Sequence, residues 1–269
     1  MRSSTSDADF TLPLSGPQIG YSEPSARLRP GAAGTVPGVR NRLLRRLPHR
    51  EMQSLMRRIE RVEIRPRQIL HHWNMPMRDV YFVEQGLVSV SVKISRDCAV
   101  EGWLIGSEGM TGVPVLFGDR ENPPFRRVVQ VGGQALRIAV HDLLAAMDEL
   151  ETLRGLLLRY AQFVLCQSSQ WGACNAHHSL KQRMGRWLLA ASDALESDYL
   201  PVTHQLLARL LGVRRAGVSE CLNAMEARRI IRNTRSLIQI TEPEALRAVS
   251  CDCHRLIQRD YRRLFQTEE

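Results

Sequence analysis

The apolar residues change from strand to helical period near His141, and that change constrains the architecture more than any other feature. Upstream, between Val62 and Ile138, they fall in short alternating or continuous runs. Val62/Ile64, Ile69/Leu70, Val80 to Val83, Leu87 to Ile94, Val100 to Ile105, Val113 to Phe117, Val128 to Val131 and Ala135 to Ile138 all read as strands. Within Leu87 to Ile94, Val88, Val90, Val92 and Ile94 share one face, because successive strand side chains point to opposite sides. Turn signals separate the runs: Arg65-Pro66, Asn74-Met75-Pro76, Glu84-Gln85-Gly86, Glu108-Gly109, Asn122-Pro123-Pro124 and Gly132-Gly133. Many short strands at this spacing predict a β-sandwich, jelly roll or small barrel. Downstream of His141 the spacing is helical, so the fold class is α+β.

Ahead of the strands, Leu43, Leu44, Leu47, Met52, Leu55, Met56 and Ile59 keep helical spacing, with Pro48 dividing two short pieces. Residues 1–40 differ from the rest. They hold five of the 13 prolines, five of the 18 glycines and six serines, a composition that buries too little surface to offset its ordering entropy. They are read as a disordered leader.

After His141, residues Ala146, Leu150, Leu153, Leu157, Tyr160, Val164, Gln167 and Trp171 are spaced 4-3-4-3-4-3-4. That is a heptad seam. A buried core helix would also show one apolar face, but the length and regularity favour a dimer seam, with Leu150, Leu153, Leu157, Tyr160 and Val164 as interface residues. A further helix carries Leu180, Met184, Trp187, Leu188 and Ala191 on one stripe and is broken by Asp198 to Pro201.

Residues 203–226 carry the function. Thr203 can cap a helix whose apolar positions are Leu206, Leu207, Leu210 and Leu211. Gly212 suits the left-handed residue that ends it. A second helix starts near Arg214 and turns Val218, Cys221, Leu222 and Met225 inward. Its outer face offers Arg214, Arg215, Gly217, Ser219, Glu220 and Asn223. Two helices joined by a glycine turn form a helix-turn-helix, whose second helix enters the major groove. Ile230-Ile231 and Leu237 to Ile240 read as strands of a wing around Arg232 and Arg235. Residues 200–240 hold seven arginines against two acids, Glu220 and Glu226. Arginine suits the task, because its planar fork pairs with guanine edges and with phosphates.

Charge agrees. The net charge is +9, and every basic residue except Lys93 and Lys181 is arginine. A polyanionic partner follows, nucleic acid or an anionic membrane. The cluster in the wing region selects duplex DNA. No window approaches the ~18 consecutive apolar residues of a membrane span, and no export signal opens the chain, so a cytoplasmic protein without a membrane role is expected.

With these residues in hand, the sequence resembles the Crp/Fnr family of bacterial transcription regulators over about residues 41–265. The resemblance rests on Val80-Tyr81-Phe82-Val83-Glu84-Gln85-Gly86, on Gly109-Met110-Thr111-Gly112-Val113-Pro114, and on Leu206 to Val218 with its Leu-Leu-Gly-Val-Arg-Arg core. It implies a cyclic-nucleotide-binding-like jelly roll over residues 41–145, a dimerisation helix over 146–172, a winged helix-turn-helix over 173–245 and a C-terminal helix over 246–269. It also implies a homodimer on palindromic DNA and a contact with RNA polymerase. By position, Thr203 and His204 match residues at the phosphate backbone. Arg215 matches the arginine that reads guanine, and Gly217 and Ser219 match other positions of the DNA face. Gln205, Arg214, Glu220, Asn223 and Arg235 complete the expected interface. Ala216 and Glu220 stand where many members carry glutamate and arginine, which leaves the half-site open.

The family's cyclic-nucleotide pocket carries a glutamate for the ribose and an arginine for the phosphate. Here Val113 stands in the glutamate position, and Arg126-Arg127 are not followed by a small hydroxyl residue. An unpaired ribose hydroxyl costs ~1–3 kcal/mol, so cAMP binding is not expected and the effector is left unassigned. The two arginines are read as solvated. No cysteine precedes Cys98, which disfavours the N-terminal iron–sulfur chemistry of some relatives. Cys251-Asp252-Cys253-His254 is tighter than standard zinc spacing and is read as buried or half-buried helix cysteines, with Cys253 on a stripe with Leu246, Val249 and Ile257. No metal, cofactor or catalytic residue is assigned, and an enzyme is not expected. The alternative is a metal- or haem-dependent sensor or enzyme on the β-rich domain. His71-His72 and His177-His178 are its candidate ligands, but adjacent residues on a strand point to opposite faces.

Overall fold

A computed structural model describes residues 38–96, 99–118, 123–234 and 236–265. The leader reading falls almost wholly outside them, as do Cys98 and Arg235.

The strand-period region folds into two antiparallel sheets. Strands β1 (Glu60–Ile64), β2 (Ile69–His71), β3 (Asp79–Val83), β4 (Leu87–Lys93), β5 (Ala99–Ile105), β6 (Phe125–Val131) and β7 (Gly133–Ala139) pair in the orders β1-β7-β3 and β2-β6-β4-β5. Their inward faces, among them Val80, Phe82, Val88, Val90, Val129, Leu136 and Ile138, make the core of a β roll. Val113–Phe117 is a short 3-10 helix rather than a strand. Pro114 lacks the amide that a strand ladder needs.

A short turn at Leu44–Arg46 and helix α1 (His49–Met56) precede the roll, and Pro48 divides them. Asn41 ties this segment down. Its Nδ2 donates to the carbonyls of Val83 and Gly109 at 2.8 and 2.9 Å, and its Oδ1 accepts from Leu44 N–H. The arginines of this stretch are partly engaged in ion pairs. Arg58 meets Glu149, Arg61 meets the buried Glu84, and Arg42 meets Glu108 and Glu196.

The long helical stretch is two helices. Helix α2 (Val140–Glu149) ends at Leu150, whose extended backbone (φ −118°, ψ 97°) starts α3 (Glu151–His177). The expected dimer seam needs correction. Leu153, Leu157, Tyr160 and Val164 are buried within the single chain, and Leu150 sits half-buried at the break. Tyr160 donates its hydroxyl hydrogen to the Met110 carbonyl at 3.3 Å. Gly109 lies so close that a Cβ there would sit 2.1 Å from the Tyr160 oxygen. The heptad therefore marks where α3 lies on the roll and on the C-terminal helix. Periodicity alone does not separate an internal from an external apolar stripe.

Helix α4 (Leu180–Leu195) begins with a capping box. Ser179 Oγ accepts from Gln182 N–H, and the Gln182 side chain accepts from Ser179 N–H. Strand β8 (Tyr199–Leu200), helix α5 (His204–Leu211), helix α6 (Arg215–Ala227) and strands β9 (Ile231–Asn233) and β10 (Ile238–Ile240) follow, with sheet order β8-β10-β9. The chain closes with α7 (Pro243–Val249) and α8 (Cys253–Phe265). Helix α8 packs along α3, where Phe163 meets Tyr261 edge-on at 5.2 Å. Among the described residues no helix is long and apolar enough to cross a membrane.

Candidate nucleic-acid interface

Helix α5 starts where the sequence says it must. Thr203 Oγ1 accepts from Leu206 N–H at 3.2 Å, supplying one of the partners that a first helical turn lacks. It stops at Gly212, whose φ of +64° is left-handed, a region that costs an L side chain ~1–2 kcal/mol. Leu207, Leu210 and Leu211 on α5 and Val218, Leu222 and Met225 on α6 are buried between the two helices and the rest of the domain. Their opposite faces are therefore the ones left for a partner.

Thr203, Gln205, Arg214, Arg215, Glu220 and Asn223 are exposed. Arg214 is the N-terminal boundary residue of α6 and Arg215 its first residue, so two guanidinium groups flank a helix N-terminus. That end already favours anions through its free amides.

His204 is bracketed rather than free. Its Nδ1 lies 2.9 Å from Ser219 Oγ on α6, and its Nε2 lies 3.0 Å from Asn233 Oδ1 on β9. One imidazole thus joins the first helix, the second helix and the wing. Ser219 is half-buried in this bracket. Glu226 adds a second strut, accepting from Asn233 N–H at 2.8 Å. The sequence reading missed Asn233, which lies 29 positions from His204, and Glu226, which lies 7 positions from Asn233. Gly217 also differs from expectation. A Cβ there would meet Leu180 of α4 at 3.2 Å, so Gly217 lies at the α4–α6 packing surface.

The comparisons fit this geometry. Residues 182–249 match the family model of the Crp-like helix-turn-helix domain. Among solved structures, the c-di-GMP responsive global regulator CLP of Xanthomonas campestris is 18% identical with a TM-score of 0.58, over 72% of this chain and 99% of that one. FixK2 from Bradyrhizobium japonicum is 13% identical with a TM-score of 0.62, over 72% and 98%. A CRP/FNR family transcriptional regulator from Thermus thermophilus is 19% identical with a TM-score of 0.56, over 71% and 98%. No curated protein matches by sequence. Residues 182–249 thus form a Crp-like helix-turn-helix domain, and the chain shares the fold of these solved structures.

In the roll the arginine pair is not solvated. Arg127 is fully buried, and the Arg126 guanidinium lies 4.1 Å from the Trp73 ring centroid. Burial and the neighbouring Arg127 charge hold His71 at a pKa of about 3, with Nε2 2.7 Å from the Asp79 carbonyl oxygen. A neutral imidazole at that contact donates its proton to the carbonyl. His72 is exposed, so the two histidines do part to opposite faces. Cys251 and Cys253 are buried, as the sequence reading expects, but not on one continuous helix. The helix breaks between α7 and α8, so both are buried while Asp252 between them is exposed. On a continuous helix, residues two apart would point about 200° from each other.

Proposed function

We propose that this chain is a cytoplasmic transcription regulator that binds pseudo-palindromic duplex DNA as a homodimer and contacts RNA polymerase from that site. The observation that carries the reading is the exposed start of α6, with Arg214 and Arg215 beside Gln205, Glu220 and Asn223. Arg235 belongs to the proposed interface by sequence only. The Thr203 cap and the His204 bracket position this face and are assigned a holding role, with His204 turned into the protein rather than toward phosphate.

The dimer is assigned to a different stripe of α3 from the one the heptad suggested. Leu158, Gln162, Leu165, Ser169, Gly172 and Ala176 are exposed and keep the 4-3-4-3-4 spacing of a coiled-coil seam. Leu158 is 43% exposed and Leu165 66%, high values for leucine on a helix otherwise packed on its own chain. In the roll, Val113 offers no carboxylate to a ribose, so the effector is not expected to be cAMP.

Site selection from random duplexes tests the reading. The expected product is an inverted repeat with half-site centres ~34–36 Å apart. Equal affinity for the selected site and for scrambled duplex would overturn it.

A further inference from the structure

Four donors from distant parts of the sequence converge at the far end of α3. Cys174 and His178 are one turn apart, and His178 N–H donates to the Cys174 carbonyl at 3.0 Å, so the last turn of α3 puts both on one side. Cys251 and Cys253 arrive from the α7–α8 junction. The four ligand atoms all lie within 4.8 Å of one another. Cys174 Sγ is 3.5 Å from Cys251 Sγ, and His178 Nδ1 is 3.7 Å from Cys253 Sγ. A tetrahedral zinc ion with Zn–S of ~2.3 Å and Zn–N of ~2.0 Å sets sulfur–sulfur distances near ~3.8 Å and nitrogen–sulfur distances near ~3.5 Å. The donors therefore stand close to the spacing of a single tetrahedral ion.

We propose that Cys174, His178, Cys251 and Cys253 form a closed site for one zinc-class divalent ion that fastens the C-terminal helices to α3. Three thiolates and an imidazole satisfy tetrahedral coordination and leave no position open, which is the pattern of a structural site. All four donors come from outside the β roll, so the site is independent of the effector chemistry.

The surroundings suit such a site. Gln170 Nε2 donates to Cys253 Sγ at 3.1 Å, an outer hydrogen bond that orients the sulfur. Three thiolates around a dication leave one net negative charge. Arg186 is 1% exposed, stacks 4.0 Å from the Trp171 centroid and acts electrostatically on all three sulfurs. Its Nε and Nη1 have no hydrogen-bond partner among the described residues, which a nearby anionic centre explains. Binding releases the thiol protons to solvent. His254 takes no part, because its Nε2 pairs with Asp193 at 2.7 Å.

The full chain, purified under reducing conditions without chelator, is expected to hold about one zinc per chain by elemental analysis. After stripping, titration with Co²⁺ should produce thiolate-to-cobalt absorption and the visible bands of a tetrahedral ion. Cys251→Ser and His178→Asn should weaken both, whereas Cys166→Ser and Cys221→Ser should leave them intact. The unsubstituted chain alone suffices if a variant fails to fold. The proposal is overturned if the stripped, reduced chain gives neither zinc uptake nor cobalt bands. It is also overturned if metal-free protein from cells carries a Cys174–Cys251 disulfide, or if Cys251→Ser retains full zinc and an unchanged cobalt spectrum.

Discussion

The Trp187 indole N–H donates to Oε1 of Glu101 at 2.8 Å, and both side chains are buried where α4 meets β5. Glu101 Oε2 has no hydrogen-bond partner among the described residues. Burial pushes the Glu101 pKa to about 8, against the opposing pull of the Trp187 hydrogen bond and the Arg186 charge. The contact between the roll and the C-terminal domain therefore contains a carboxyl that is neutral at neutral pH.

The sign of the resulting pH dependence follows from proton binding. Between the unfolded value of 4.5 and about 8, the folded chain holds the proton that the unfolded chain has lost. Stability is therefore highest below that window and falls as pH rises through it. Glu101→Gln keeps an acceptor for Trp187 and removes the ionisation. Thermal melts should coincide with the parent near pH 4, below the window, and run higher for the variant near pH 8.5, by on the order of a few kcal/mol at most. A parent–variant difference that stays flat across this range would sink the assignment.

The two stripes of α3 predict opposite phenotypes. Leu165→Asp puts a charge on the exposed stripe and should yield a folded monomer by light scattering, with little change in melting. Leu157→Ala removes a fully buried side chain and should cost ~2–5 kcal/mol of stability. If Leu157→Ala instead dissociated a dimer without loss of stability, the original heptad reading would be restored.

The contrast between those stripes shows what the sequence could express. The helix-turn-helix was legible because each signal is local: a capping threonine, a left-handed glycine, and leucines at helical spacing. The roll was legible because alternation reports which strand faces are buried. The α3 seam was misassigned because a heptad shows that a face is covered, not whether the cover is the same chain. The His204–Asn233 contact and the four-donor cluster were invisible for a related reason. Each joins residues tens of positions apart, and Cys251-x-Cys253 gains meaning only when the helix break between α7 and α8 turns both sulfurs inward beside α3.

His204→Ala tests the bracket. Two half-buried partners, Ser219 and Asn233, lose their contact together. At ~0.5–1.5 kcal/mol per hydrogen bond, the loss should lower the melting temperature and weaken all duplexes alike, since the wing and α6 are no longer held in register. A drop confined to the selected sequence would instead mean that His204 reads bases.

Arg215→Ala tests whether α6 reads sequence. Arg215 is exposed at the first position of the helix, where a side chain can reach a base edge when the helix lies in the major groove. A bidentate arginine–guanine pair is worth ~1–3 kcal/mol of discrimination, so the variant should lose roughly ten- to a hundred-fold on the selected site and much less on scrambled duplex. Salt separates this from a phosphate contact. Each neutralised phosphate contributes about −0.9 to the slope of log affinity against log salt, so a base-reading Arg215 leaves that slope nearly unchanged. Binding titrations at several salt concentrations decide the matter. Equal losses on both duplexes, with a slope shallower by about one, would make Arg215 a backbone contact and move base recognition to the neighbouring residues of the α6 face.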